Sequence, residues 1–249
     1  LRWTHRCIGV LGPYQVVLDT SLGERAREMR VEVRLEGHWE TPPLTGFVSL
    51  LAGVGPGGEL TVDTPFAVEQ RDPERDIYNH NVPTSQDLGL VDMFERLRPG
   101  VFWGRSWCDW SNGKQGLTLT SIDGCTYWYK EPQSFGHLLL RAVELKPGTW
   151  EAFCPPSLTG AGTHTFSYLF RFHDGNWREA DPQRRSLELR HPPVVVRPIC
   201  PGPATLPENI HSFFSLEGPA LLSAYYRSEE ALYVRFYEYQ GQGGEVQLT

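Results

Sequence analysis

The chain has 249 residues, of which 40% are hydrophobic and 21% are charged, a composition that supports a packed core and excludes an intrinsically disordered protein. Its net charge of -7 argues against nucleic acid as a partner, because nucleic-acid-binding proteins need a basic surface. No apolar run approaches the roughly 20 residues that a membrane-spanning helix requires, so we expect no membrane partner either.

The first part of the chain predicts short strands followed by a polar loop. Apolar residues from Met29 to Leu35 occupy every second position and alternate with Arg and Glu, which is the period of a strand with one buried face. Shorter apolar runs predict strands at 14–20, 44–52 and 60–63. Residues 70–86 are predicted to form a long loop, and residues 88–97 have the apolar spacing of a helix, which Gly89 weakens.

Strand patterns return in the second half of the chain. They lie at 101–110, 117–121, 126–130, 136–143, 211–216, 220–226 and 231–239. Asn112-Gly113 and Asp123-Gly124 lie between consecutive strands and predict hairpin turns. This succession, in which no helix is strongly indicated, predicts an all-β protein with a large two-sheet sandwich.

The segment HTFSYLFRFHDGNWREA, residues 164–180, has the most regular pattern in the chain. His164 and four aromatic residues occupy every second position up to Phe172, as on one face of a strand. Asp174-Gly175 then predicts a sharp turn, and we expect Trp177 and Arg178 to lie exposed in a hairpin corner. Residues 181–190 are polar and are predicted to lead the chain away from this corner.

Motifs of the common catalytic and cofactor sites are absent. The sequence contains no glycine-rich phosphate loop, zinc-protease motif or nucleophile elbow, and its eight histidines show no metal-ligand spacing. The five cysteines are odd in number and form no Cys-x-x-Cys pair, and no Asn-x-Ser/Thr site is present. We therefore expect free thiols and a reducing, cytoplasmic location. The chain begins without Met, and we interpret it as part of a longer protein.

Tryptophan is the most prominent candidate for ligand contact. Trp103 and Trp107 are predicted to share one strand face with Arg105 and Asp109. Flat rings beside polar groups can stack on a pyranose and hydrogen-bond its hydroxyls, so Trp103 and Trp107 are candidate substrate-binding residues. The same rings could instead fill the core of a large sandwich, and the sequence leaves both interpretations open.

Four segments carry a resemblance that depends on their order. They are RPGVFWGRSWCDWSNGKQGLTLTS (98–121), GHLLLRAVE (136–144), HTFSYLFRFHDGNWREA (164–180) and SFFSLEGPALLSAYYRSEEALYVRFYEYQG (212–241). In this order they resemble the C-terminal β region of glycoside hydrolase family 38, the α-mannosidases. Asn176 and Arg227 depart from the family's pattern, which often has Asp and Lys at these places. The first 85 residues match more weakly.

The resemblance implies a galactose mutarotase-like supersandwich for residues 1–249, with a smaller β subdomain at 208–249. It also implies that this region holds neither catalytic residues nor a cofactor. In the family the nucleophile, the acid/base and the zinc ligands lie in a preceding catalytic domain, which would be the partner of this region in the same polypeptide. The substrate would be an α-mannoside or oligosaccharide, cleaved with retention.

Arg141 is the nearest match to an arginine of this region that reaches the substrate in some members of the family. Alternatively, it is an ordinary strand-end arginine that pairs with Glu144 or another carboxylate.

Two other functions remain open at the level of sequence. A free-standing carbohydrate-binding module would require exposed, coplanar rings at Trp103 and Trp107. A mutarotase-like epimerase would require a histidine and a carboxylate that converge in one cleft.

Overall fold

A computed structural model describes residues 2–24, 26–40, 46–71, 101–123, 126–131, 134–142, 159–195 and 212–249. The strands in these ranges are β1 (Arg2–Leu11), β2 (Tyr14–Gly23), β3 (Glu28–Gly37), β4 (Gly46–Gly53), β5 (Glu59–Thr64), β6 (Ala67–Arg71), β7 (Val101–Gly104), β8 (Trp107–Ser111), β9 (Gln115–Ser121), β10 (Thr126–Glu131), β11 (Ser134–Ala142), β12 (Gly162–Asp174), β13 (Leu216–Glu217), β14 (Ala220–Arg227), β15 (Leu232–Glu238) and β16 (Gln247–Leu248). The helices are α1 (Trp177–Ala180) and α2 (Pro182–Arg190). Within the same ranges, neither helix has the length and apolarity to cross a bilayer.

Two sheets face each other across one core. The larger has eight antiparallel strands in the order β1-β2-β3-β12-β9-β8-β5-β6, and the smaller has four in the order β4-β11-β10-β7. Leu60 and Leu119 of the larger sheet share a buried cluster with Phe102 and Phe135 of the smaller one. The predicted all-β, two-sheet sandwich is therefore confirmed.

Strand β3 shows how the sequence period produces the sheet. Val31, Val33 and Leu35 are buried, whereas the charged residues between them are exposed. Successive side chains of a strand point to opposite faces, so one face of β3 joins the core and the other meets water. The predicted alternation from Met29 to Leu35 is confirmed.

The prediction of one strand at 101–110 is wrong, because the chain changes sheets within it. β7 belongs to the four-stranded sheet and β8 to the eight-stranded sheet. Asp63, which is fully buried, stabilises the crossover by accepting hydrogen bonds from the backbone N–H groups of Ser106 and Trp107 at 2.7 and 3.0 Å. These N–H groups would otherwise be buried without a partner as the chain leaves one ladder for the other.

The two predicted hairpin turns have different outcomes. β8 and β9 pair directly around Asn112-Gly113, where Asn112 Oδ1 accepts from the backbone N–H groups of Lys114 and Gln115, both at 3.0 Å. Gly113 has a φ of +78°, which favours glycine. The turn predicted at Asp123-Gly124 is not a hairpin, because β9 and β10 lie in different sheets.

The predicted hairpin corner after β12 is instead a turn from strand to helix. Asn176 caps α1, with its Oδ1 accepting from Arg178 N at 2.8 Å, and Glu179 Oε2 accepts from Asn176 N at 2.9 Å. This reciprocal capping box and the Asp181-Pro182 start of α2 are helix signals in the sequence. Trp177 is buried rather than exposed, so the expectation for this corner was wrong on both points.

The C-terminal strands form two small sheets of their own, β14-β15 and β13-β16. The hairpin is joined to the helices by the side chains of Tyr237 and Tyr239, whose hydroxyls bond Gln183 and Asp181 at 3.0 and 2.9 Å. The strands predicted at 220–226 and 231–239 are confirmed as β14 and β15. Of the strand predicted at 211–216, only Leu216 lies in a described strand, β13. Strands β1 and β6 were not predicted from the sequence. The subdomain at 208–249 stays a prediction, and residues 72–100, which include the segment of helical spacing at 88–97, lie outside the described residues.

Candidate functional site

Trp107 cannot serve as an exposed sugar platform, because its exposure is 0%. Its Nε1 donates to Gln183 Oε1 of α2 at 2.7 Å, and its ring centroid lies 6.0 Å from that of Trp177 in α1. The helices therefore cover the face of β8 that carries this ring. Trp107 is therefore buried, but beneath the helices and not in the cluster between the two sheets, and its burial contradicts the interpretation as an exposed substrate-contact residue.

The other two candidate residues do not join Trp107 in one site. Trp103 is half-buried and lies in β7, in the other sheet, so the predicted common strand face does not exist. Arg141 lies in β11, opposite Phe47, but its side chain falls outside the described part of the structure. Substrate contact by Trp103 and Arg141 stays a prediction.

A buried polar cluster joins β12, β9 and β8 on the face that the helices cover. His173 Nε2 lies 2.8 Å from Asp109 Oδ2, and the hydroxyl of Thr118 donates to the same oxygen at 2.6 Å. Asp109 is fully buried. A buried carboxylate requires such partners, because an unpaired charge in the interior is strongly unfavourable.

Gly116 makes this contact possible across an intervening strand. His173 stands opposite Gly116 of β9, while Asp109 stands opposite Thr118 of the same strand. A Cβ on residue 116 would lie 2.2 Å from His173 Cε1. The absence of a side chain therefore lets the imidazole extend over β9 to reach Asp109.

Both ring nitrogens of His173 face acceptors. Nε2 faces the Asp109 carboxylate, and Nδ1 lies 3.3 Å from the backbone oxygen of Asp174. Burial opposes charge on the ring, but the hydrogen bond and charge of Asp109 outweigh it and raise the pKa of His173. The ring is therefore best satisfied as an imidazolium that donates at both nitrogens.

A cleft of about 460 Å³ opens at the end of the sandwich beside this cluster. Its lining is formed by Arg27, Val54, Gly55, Trp110, Gln115, Gly116, Leu117, Phe172, His173 and Asp174. Trp110, Leu117 and Phe172 lie in register on the core-side face of the large sheet. By the period of two, the side chains of His173 and Asp109 lie on the opposite face.

The geometry does not favour an epimerase. A histidine within hydrogen-bond reach of a carboxylate beside a cleft is present, as that function requires. Yet Asp109 is fully buried, both nitrogens of His173 are engaged, and the pair lies across the sheet from the apolar cleft wall. A general acid or base has to reach the proton that it transfers, so we do not assign this role to His173.

Two of the five cysteines lie within the described residues. Cys7 and Cys108 are free thiols, the first exposed and the second buried. Burial raises the pKa of the Cys108 thiol well above its usual value, so it is unreactive. In the part of the chain that the structure describes, no three His, Cys, Asp or Glu side chains converge to hold a metal ion.

The sequence shows the residues of this polar cluster, but it does not show that Asp109 and His173 are in contact. Asp109 and His173 lie in two of the four quoted segments, 64 residues apart. Only the strand order β12-β9-β8 brings them together.

Comparison with protein-family models and with curated proteins finds no match to the sequence. Comparison of structures finds a glycosyl hydrolase family 38 protein from Enterococcus faecalis, with a TM-score of 0.65, 15% identity, and coverage of 95% of this chain and 25% of that one. An alpha-mannosidase from Enterococcus faecalis V583 has a TM-score of 0.68 and 16% identity, with coverage of 95% and 24%. The chain thus spans about a quarter of the length of these proteins and shares the fold of that part of them.

Proposed function

We propose that the chain is the non-catalytic C-terminal β-sandwich region of a retaining, metal-dependent α-mannosidase. The observation that carries this proposal is the fold likeness, which includes 95% of the chain but only a quarter of each of two proteins described as family 38 or alpha-mannosidase. The four sequence segments that resemble this family in the same order support it independently.

In this proposal the chemistry belongs to the rest of the polypeptide. The catalytic domain would supply the carboxylate nucleophile, the acid/base and the zinc ligands, and this region would pack on it and form part of the rim of the sugar site. Arg141 and Trp103 are the residues that we propose for the rim. We also propose a cytoplasmic location, which the free thiols of Cys7 and Cys108 support.

The proposal is tested with the purified chain and with a native extract of the cells that produce it. Purified chain with added zinc should not hydrolyse an aryl α-mannoside. An antiserum against the chain should precipitate, from native extract, a polypeptide roughly four times as long, together with α-mannosidase activity that a chelator abolishes. Robust turnover by the isolated chain, or a precipitated polypeptide without this activity, would contradict the proposal.

A further inference from the structure

We propose that the cleft at the end of the sandwich binds a neutral pyranose sugar. This inference goes beyond the proposed function and does not depend on it, because it rests on the cleft alone. The volume of about 460 Å³ lies within the range of natural small-molecule sites. A pyranose needs an apolar surface for its C–H face and polar groups around its edge, and the cleft presents both.

The apolar surface for stacking is the ring of Phe172, which is supported from below by the buried side chains of Trp110 and Leu117. Phe172 is 52% exposed, although it continues the face of β12 on which Phe170 and Tyr168 are buried. The smaller sheet therefore leaves this end of the large sheet uncovered. An exposed aromatic ring in a concave site is suited to stacking on a sugar.

The polar edge is formed by Arg27, Asp174 and Gln115. Arg27 Nη1 and Asp174 Oδ2 form an ion pair of 2.8 Å whose side chains are 69% and 83% exposed. Arg donates and Asp accepts, so the pair can serve two hydroxyl groups of one ring. Because Asp174 neutralises Arg27, the edge suits an uncharged sugar better than an anionic one.

The site is held in place by contacts on both sides of β12. The Phe172 N–H donates to Arg27 O at 3.0 Å, and the Gly175 N–H donates to Lys114 O at 2.9 Å. His173, between Phe172 and Asp174, is fixed to Asp109 on the covered face. The cleft wall is thus preorganised, which reduces the entropy lost on binding.

The test is a titration of the purified chain with the methyl glycosides of α-mannose, α-glucose and β-galactose, followed by ¹H–¹⁵N NMR. We expect at least one sugar to saturate with a Kd of about 1 mM, on the scale of a single small site. The shifts should concentrate at the amides of Gln115, Gly116 and Asp174.

Substitutions separate the cleft from the rest of the surface. Phe172→Ala and Asp174→Ala should each raise Kd about tenfold, and both side chains are exposed enough for the fold to survive, which thermal unfolding verifies. Phe213→Ala removes an aromatic ring that is 78% exposed and outside the cleft, and should leave Kd unchanged.

Absence of saturable binding for all three sugars at about 50 mM, well above the expected Kd, would overturn the inference. Equal Kd values for the unaltered chain, Phe172→Ala and Asp174→Ala would overturn it as well. Either result leaves the proposed function standing if the antiserum still precipitates α-mannosidase activity, so the two proposals fail separately.

Discussion

The hydroxyl of Tyr168 in β12 hydrogen-bonds Nδ1 of His137 in β11, so a polar contact joins the two sheets through the core. Both residues are buried, and their rings meet edge to face with centroids 5.4 Å apart. Burial lowers the pKa of His137 to about 4 and raises that of Tyr168. The pair is therefore neutral at physiological pH, and we assign the tyrosine as donor and the imidazole nitrogen as acceptor.

Removal of the Tyr168 hydroxyl should destabilise the chain measurably. Tyr168→Phe keeps the ring in the core but withdraws this donor from a buried nitrogen, so we expect a loss of about 1–3 kcal/mol in the free energy of unfolding. Urea denaturation would measure it. Tyr226→Phe is the matched control, because Tyr226 is exposed and stacks on Tyr233 through its ring. A loss no larger than that of the control would contradict the contact.

His137 should make the chain sensitive to acid. In the unfolded chain a histidine takes up a proton at about pH 6.5, whereas folded His137 does so only at about pH 4. Its contribution is therefore present above about pH 6.5 and is lost as the pH falls towards 4, by about 3 kcal/mol in all.

The acid sensitivity is tested by denaturation of two variants across this pH range. His137→Gln should flatten the fall in stability, whereas His191→Gln, at an exposed position, should preserve it. An unchanged slope in His137→Gln would show that other groups are responsible.

The ion pair of His173 and Asp109 should have the opposite pH dependence. Because Asp109 raises the pKa of His173, the stabilisation is complete below about pH 6.5 and is lost as the pH rises through the folded value. Asp109→Asn removes the charge, so we expect the His173 pKa to fall and the chain to lose about 3 kcal/mol.

An NMR titration of the His173 ring protons in the unaltered chain, Asp109→Asn and Thr118→Val shows whether the charge of Asp109 raises the His173 pKa. Thr118→Val removes only the hydroxyl that donates to Asp109 and should cost about 1 kcal/mol while the His173 pKa stays raised. If Asp109→Asn left that pKa where it is in the unaltered chain, the carboxylate would not be its cause.

The cap of α1 should tolerate Asp but not Ala. Asn176 Oδ1 accepts from Arg178 N at 2.8 Å, so Asn176→Ala should lower stability by about 1 kcal/mol. Asn176→Asp retains the acceptor and should change stability by less than about 0.5 kcal/mol. Thermal unfolding compares the variants, and equal losses for Asp and Ala would show that the cap oxygen contributes nothing.

The errors of the sequence interpretation have identifiable causes. Trp103 and Trp107 lie four positions apart on either side of Arg105, which fits one face of a continuous strand, so their spacing does not mark the change of sheet at Ser106. The capping signals at Asn176 and Asp181 were present, but the aromatic pattern before them favoured a continued sheet. Trp107 was ambiguous because a buried ring and a sugar platform require the same residue type.

The sequence by itself determined the all-β class, the buried face of β3 and the hairpin at Asn112-Gly113, because strand period and turn chemistry are properties of neighbouring residues. Only the tertiary structure decided that His173 reaches Asp109 over Gly116, that α1 and α2 cover Trp107, and that Phe172 remains exposed at the end of the core. Each of these depends on strand order and on how far one sheet covers the other. The residues concerned lie far apart in the chain, and no pattern along it records their contact.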